Sequence, residues 1–469
     1  MIFKLLKRQI GLNKTIVINM SSTILLQGVA FFTIPIFTRV LGTEQYGLYS
    51  VFNSWVLILS LIMPFGLSNC NNWGQYYFKN EYNNFRSSII IYNYIVSMVF
   101  CLIFLMLYNK INILFEYSFK LYVVLLLSSF STNIIGAVSG FLVFEKKALL
   151  NFFISVFLSI LNVILSLYLI FNFKFDNLYE GRVYGHYLPY VILSLVILVY
   201  ILLKNRINLK FEYIKCAFLF GGPIVFHSLA NIILGQSDRV MMQKMNVANS
   251  DIGIYSLFYS FVGVLSIILS GLNITFSPFY VEYIEKNDKD SIIIKSKNFI
   301  EIFTVVCIGF LLLSREVSYF MANDDYYRGI KLIPIFVGTI YFIFMYQFAV
   351  NYEFFYRRTT TIAGGTICAA LLNILLNLFF IKRLGMYGAA YATIISYFAL
   401  YVFHYFIAYN MKEKRFYLSI RYYLIGIILI IVFSYIFYLL SNFAYVRWTL
   451  GVLIGTLEIY RIYIRKSIF

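Results

Sequence analysis

Two sets of polar side chains recur at helical spacing inside long apolar runs. Asn19, Thr23 and Gln27 stand at i, i+4 and i+8; His227, Asn231, Gly235 and Asp238 keep the same kind of spacing, with Arg239 next in line. Residues four apart share one face of a helix. In hydrocarbon such groups cost free energy unless they meet a partner or water, so each stripe is expected to face the interior of a helix bundle. There they can line a hydrated path for a polar substrate or bond one helix to another. Either role suits a single residue, and the two stripes together favour a path. Arg39 and the Asp238-Arg239 pair end their runs on one side of the membrane, where an ion pair or snorkelling accounts for them. Anion binding at the mouth of the path is the alternative. Lys146 and Lys147 in one turn, and Arg357 and Arg358 in a matching one, anchor the chain by positive charge and would also suit capture of a phosphate. Asp238 and Glu353 are candidate coupling-ion sites. His186, His227 and His404 lie in different runs with no carboxylate partner discernible.

The elements that must position these groups are helices. The 469-residue chain is 61% hydrophobic and 12% charged, about half the charged share of a soluble globular protein. Apolar runs long enough to cross about 30 Å of hydrocarbon recur from end to end. They are read at 15–38, 46–67, 88–108, 119–143, 150–171, 184–203, 214–236, 252–276, 299–320, 331–354, 361–381, 387–409, 420–440 and 446–463. In the last, Arg447 and Glu458 flank a short apolar centre. This predicts an all-α polytopic membrane protein and excludes water-soluble classes. The five cysteines are scattered, with no CxxC or Cys/His cluster, so no metal site, disulfide framework or cofactor is indicated. No loop exceeds about twenty residues and no phosphate-binding GxxxxGK[ST] motif occurs. There is no room for a soluble catalytic domain, and the chain is read as a non-enzyme.

The sequence also repeats itself. Gly47–Ile62 returns without a gap as Gly253–Ile268, with nine of sixteen positions identical at an offset of 206. Lys147 precedes Asn162 by fifteen residues, as Arg358 precedes Asn373, at an offset of 211; Tyr184-Gly185 recurs as Tyr387-Gly388 at 203. A module of about two hundred residues is duplicated. The expected domains are a six-helix bundle at 1–208, a second at 209–411, and two further helices at 412–469. An even number of spans per half puts the pseudo-twofold axis along the membrane normal, with a cavity between the bundles. With the N-terminus in the cytoplasm, the cytoplasmic segments hold 25 of the 38 basic residues, for net charges of +14 inside and +4 outside. The C-terminus then also lies in the cytoplasm. The positive excess is a topology signal and implies no nucleic acid.

Arg39-Val40-Leu41-Gly42 with Gly47-Leu48-Tyr49 resembles the first loop of the polysaccharide-transporter branch of the multidrug/oligosaccharidyl-lipid/polysaccharide exporter superfamily. Asp238-Arg239 with Gly253-Ile254-Tyr255-Ser256 resembles the matching stretch of the second half. Asn377 with Gly385-Met386-Tyr387-Gly388-Ala389-Ala390 and Thr393 resembles the turn between the eleventh and twelfth helices. Within the group the chain is similar to Wzx-type O-antigen flippases. That resemblance implies transfer of undecaprenyl-pyrophosphate-linked oligosaccharide from the cytoplasmic to the periplasmic leaflet of the bacterial inner membrane. It also implies membrane lipids, a polysaccharide polymerase and a chain-length protein as partners. One departure is the charged stretch Glu180-Gly181-Arg182-Val183-Tyr184-Gly185, expected to be a turn that alters the outer rim. A small-cation drug exporter of the same fold and a membrane polysaccharide polymerase are the alternative functions.

Overall fold

The computed structural model describes residues 14–67, 70, 74, 76–145, 147–204, 209–411 and 418–465, with only the backbone of 14–27, 29–30 and 223. The helices are α1 (Lys14–Ile62), α2 (Tyr82–Met106), α3 (Phe119–Phe144), α4 (Ala148–Asn172), α5 (Leu178–Lys204), α6 (Phe211–Lys244), α7 (Asn249–Val262), α8 (Val264–Glu285), α9 (Lys289–Met321), α10 (Ile333–Phe355), α11 (Thr359–Leu384), α12 (Met386–Tyr409), α13 (Ile420–Leu439) and α14 (Ala444–Arg465). Among the described residues there is no strand, and each apolar run falls on helix. Among the described residues, ten helical segments are long and apolar enough to cross a membrane, or eleven if the bent pair Phe211–Gly222 and Ile224–Lys244 is one span. The protein is thus an all-α, multi-pass membrane protein. The runs 15–38 and 46–67 fall on two helical segments of α1 that meet at a kink at Gly42 (φ 67°, ψ 178°). That backbone conformation favours glycine.

Contacts gather the chain into two compact units, Glu44–Asn249 and a second made of Met1–Thr43 with Ser250–Phe469. These boundaries differ from the expected 208/209 and 411/412. The expected frame counts spans from the N-terminus, whereas the chain changes unit just after Gly42 and again in the turn after α6, where Asn246 has φ 58°. The two breaks are 206 residues apart, the offset of the repeated motif. Nor do 418–465 stand apart: α13 and α14 pack on α9.

The repeat carries its geometry with it. Phe52, Val56 and Leu59 are buried, and so are their counterparts Phe258, Val262 and Leu265. Lys147 and Arg358 each precede a helix with nearly the same backbone angles. Each donates its N–H five residues back, to Leu142 O and Glu353 O, at 2.9 Å. Gly185 and Gly388 both mark close helix approaches. A Cβ would lie 2.2 Å from Ser166 Cα in the first case and 2.2 Å from Phe380 O in the second.

Within Glu44–Asn249, two apolar clusters sandwich a polar layer. Phe52, Leu121, Tyr122 and Tyr187 belong to one cluster, and Phe85, Ile89, Phe141 and Tyr213 to the other; Phe130 touches both. Between them on α2 and α3, Asn133 Nδ2 donates to Asn93 Oδ1 at 2.7 Å and to Ser97 Oγ at 2.9 Å. In the other unit an aromatic column, Phe276, Phe299, Phe344 and Phe348, joins α8, α9 and α10. The charges that interrupt the last apolar run tie α14 to α9. Fully buried Arg447 pairs with Glu316 and donates to Leu312 O at 3.1 Å and Leu440 O at 2.9 Å. Arg461 pairs with Glu301, and Arg465 Nη2 reaches Glu301 at 2.8 Å. From Glu301 to Glu316 and from Arg461 back to Arg447 the axial distances are about 22 and 21 Å at 1.5 Å per residue. The antiparallel helices are therefore in register at both ends.

Glu316→Ala strands a buried guanidinium and should cost about 3–5 kcal/mol, read as a lower unfolding midpoint of the purified protein in detergent. Replacing Arg447 and Glu316 together by Met should recover most of that loss. Gly185→Ala and Gly388→Ala should each cost about 1–3 kcal/mol by forcing helices apart. Gly364→Ala, with nothing within 4 Å of its added Cβ, should cost nothing in the same assay.

Candidate functional site

Helix α5 begins inside the fold. Tyr179, Glu180, Gly181 and Arg182 are buried in its first turns, so the charged stretch expected to form a turn at the rim is helical and turned inward. Small Gly185 lets α5 lie against α4, and this brings Arg182 onto the polar pair Asn162 and Ser166. Arg182 Nη1 donates to Ser166 Oγ at 2.7 Å and approaches Asn162 Oδ1 at 3.5 Å. Its guanidinium lies 5.2 Å from the centre of the Tyr49 ring, within cation–π range. The Tyr49 hydroxyl meets His186 Nδ1 at 2.5 Å. The His186 ring stacks on Tyr187 at 4.4 Å, and the Tyr187 hydroxyl donates to Asn53 Oδ1 at 2.6 Å. Arg182, Tyr49, His186, Tyr187 and Asn53 thus form one connected constellation of a cation, ring faces, a hydroxyl and an amide. Its signal in the sequence was a charge within a run that otherwise reads as a span end.

The sequence-derived candidates fall as follows. Asn19, Thr23 and Gln27 lie on α1, but their side chains are outside the described residues. His227 and Asn231 bond to each other at 3.1 Å along α6. Asp238 and Arg239 are buried, with Arg239 Nη1 donating to Gly235 O at 2.9 Å. Gln236 Oε1, 3.5 Å from Arg239 Nη1, accepts from Ser54 Oγ at 3.0 Å, so the end of the α6 stripe lies against the stretch of α1 that carries Tyr49 and Asn53. Arg39 is exposed and bound to a helix end. Its Nη2 donates to Phe320 O at 2.9 Å and neighbouring Thr38 Oγ1 to Met321 O at 3.0 Å, which satisfies last-turn carbonyls of α9. Arg357 and Arg358 are exposed in the turn before α11. Lys146 lies outside the described residues.

Glu353 and His404 are each fully buried, and His404 Nδ1 lies 2.7 Å from Glu353 Oε1. The reading that no histidine has a carboxylate partner is therefore corrected. The two residues are 51 apart in sequence and meet only because α10 packs on α12.

Lys147 is exposed and its Nζ lies 2.6 Å from Glu145, which also pairs with Arg86 of α2. Burial would raise the Glu145 pKa, but the hydrogen bonds from Lys147 and Arg86 outweigh it and hold the carboxyl below the usual carboxylate value. A carboxylate lowered on folding stabilises the protein above its unfolded pKa, and the contribution is lost as pH falls through the folded value. Thermal unfolding against pH should therefore show an acid limb below the ordinary Glu pKa that is flatter in Glu145→Gln than in the parent. At neutral pH the same variant should be the less stable one.

With this geometry in view, the chain was compared with known proteins. No curated protein matches it. Among solved structures it is similar to an inward-facing multidrug resistance MATE family transporter of the MOP superfamily, with TM-score 0.65, 14% identity, and 85% of this chain and 99% of that one covered. It is similar also to the lipid II flippase MurJ in an inward closed conformation, with TM-score 0.61, 15% identity, and 93% and 99% covered. A MOP superfamily transporter from Pyrococcus furiosus, described as having a binding pocket of reverse polarity, gives TM-score 0.56, 14% identity, and 86% and 97% covered. These likenesses establish the fold. The family model described as polysaccharide biosynthesis protein matches residues 12–283, more than half of the chain, so this MOP-fold membrane protein belongs to the polysaccharide biosynthesis protein family.

Proposed function

We propose that the chain is a flippase that carries a lipid-linked oligosaccharide from the cytoplasmic to the periplasmic leaflet of the bacterial inner membrane by alternating access, with both termini in the cytoplasm. The observation that carries the reading is the Arg182 constellation, a cation with aromatic faces and hydrogen-bonding groups inside a membrane bundle of the family-matched stretch. A sugar phosphate cannot enter hydrocarbon without losing its bonds to water. Arginine supplies charge-assisted, forked hydrogen bonds to phosphate oxygens, and the tyrosine faces suit sugar rings. His227, Asn231, Asp238 and Arg239 extend this path within Glu44–Asn249; Lys146 and Lys147 gather phosphate at the cytoplasmic end of that unit, and Arg357 and Arg358 at the cytoplasmic end of the other. Undecaprenyl pyrophosphate is the carrier, and a polymerase and a chain-length protein act on the product.

A drug exporter of the same fold is the second reading. The constellation is built around a guanidinium, which repels the cationic drugs such an exporter would take.

Disrupting the gene should abolish surface polysaccharide, and the intact gene should restore it. Arg182→Gln, at equal protein abundance, should cut translocation of a labelled lipid-linked glycan about tenfold or more, as expected when a hydrogen bond to a charged group is lost. Arg182→Lys should recover part. Wild-type polysaccharide without the protein, or full translocation by Arg182→Gln, would remove the proposal.

A further inference from the structure

The buried pair on α10 and α12 is not used by the glycan path just described. We propose that Glu353 and His404 together form a site for one exchangeable proton, a second cargo bound within the Ser250–Phe469 part of the chain. This rests on the transport reading only for its purpose; the binding chemistry stands on the geometry.

A 2.7 Å contact between Nδ1 and Oε1 requires one hydrogen between two atoms that would otherwise present lone pairs to each other. With that hydrogen alone, the pair is a neutral imidazole donating to a carboxylate and carries one negative charge. A further proton makes the pair neutral overall, as imidazolium with carboxylate or as imidazole with carboxylic acid. Two atoms are open to receive it. Glu353 Oε2 and His404 Nε2 are both buried and find no hydrogen-bond partner among the described residues. An unneutralised carboxylate away from water is costly, and a proton on either open atom removes that charge. The proton belongs to the pair rather than to either residue.

The helices that hold the pair carry few other charges. Glu353 is the sole Asp, Glu, Lys, Arg or His on α10, and His404 the sole one on α12. On α11 the charges are Lys382 and Arg383 in its last turn. Gly365 of α11 faces the imidazole, where an added Cβ would stand 2.8 Å from Nε2. The Tyr346 ring lies over His404 at 6.0 Å. Of the tyrosines on α10, α12 and the helices beside them, Tyr280 and Tyr423 pack on Phe348, Tyr401 and Tyr405 on Tyr423, and Tyr352 on Tyr356. From α9, Phe299 and Phe303 pack on Phe348 and Phe344 of α10. The turn after α10 carries Arg357 and Arg358, and the first turn of α13 carries Arg421; the Arg358 N–H bonds to Glu353 O at 2.9 Å. Binding transfers one proton from water to Nε2 or Oε2, and release returns it. The loss of charge changes what holds α10 to α12 and gives the transport cycle a step that depends on proton concentration.

The chain has three histidines, so the full-length protein labelled with nitrogen-15 histidine in lipid nanodiscs gives a short ring spectrum. His404→Gln assigns the His404 signals by their disappearance. We expect the His404 ring signals to pass between two protonation states as pH is varied, and Glu353→Gln to displace that change about tenfold or more in proton concentration. Glu353→Asp should keep the pH response. A ring fixed in one protonation state at every pH at which the protein stays folded overturns the proposal, as does a response untouched by Glu353→Gln. In cells, Glu353→Gln and His404→Gln should lower surface polysaccharide severalfold at normal protein abundance; wild-type levels in both would overturn the coupling. If the intact gene fails to restore polysaccharide, the flippase reading falls while the titration still decides the proton site.

Discussion

A polar side chain held in hydrocarbon has no water to return to, and most of this structure follows from where such groups find partners. Asn93, Ser97 and Asn133 satisfy one another between two apolar clusters. Arg447 is surrounded by carbonyl oxygens and Glu316, and so fixes the last helix against α9. The hydrophobic effect gives no drive for one helix pairing over another in lipid, because lipid tails are as apolar as leucine. These bonds, together with close packing at Gly185 and Gly388, distinguish the helix neighbours.

The two copies of the repeat share a skeleton and differ in chemistry. Asn162 and Ser166 on α4 correspond to Asn373 and Asn377 on α11. In the first copy Ser166 accepts from Arg182, whereas in the second Asn377 donates to Asn373. Glu353 corresponds to Leu142, since both accept the same bond from the residue five ahead. One copy thus carries a buried cation among aromatic rings and the other a carboxylate–imidazole pair. Duplication supplied two similar frames that now hold different buried polar groups.

Several motif residues have plain physical reasons. Gly42 and Gly385 take left-handed backbone angles, φ 67° and 55°, that L side chains rarely adopt. Gly185 and Gly388 are where one helix lies directly against the next. Arg39, which invites a reading as an anion site, closes the end of α9. A short family motif here marks turns and close approaches more than it marks cargo.

Composition and periodicity by themselves determined the helical membrane class, the apolar runs and the two-hundred-residue repeat, because each is a property of local stretches of chain. The same local signals located the stripe on α6, whose members lie three or four residues apart on one helix. They could not reveal that Arg182 points inward, since a charge at a span end reads the same whether it faces headgroups or a neighbouring helix. Nor could they join Glu353 to His404, because a pair 51 residues apart exists only once α10 lies on α12. The frame in which contacts divide the chain, beginning at Glu44 rather than at the first residue, was likewise decided by packing. Local chemistry sets which surfaces must be buried; only the folded helices decide which buried atoms meet.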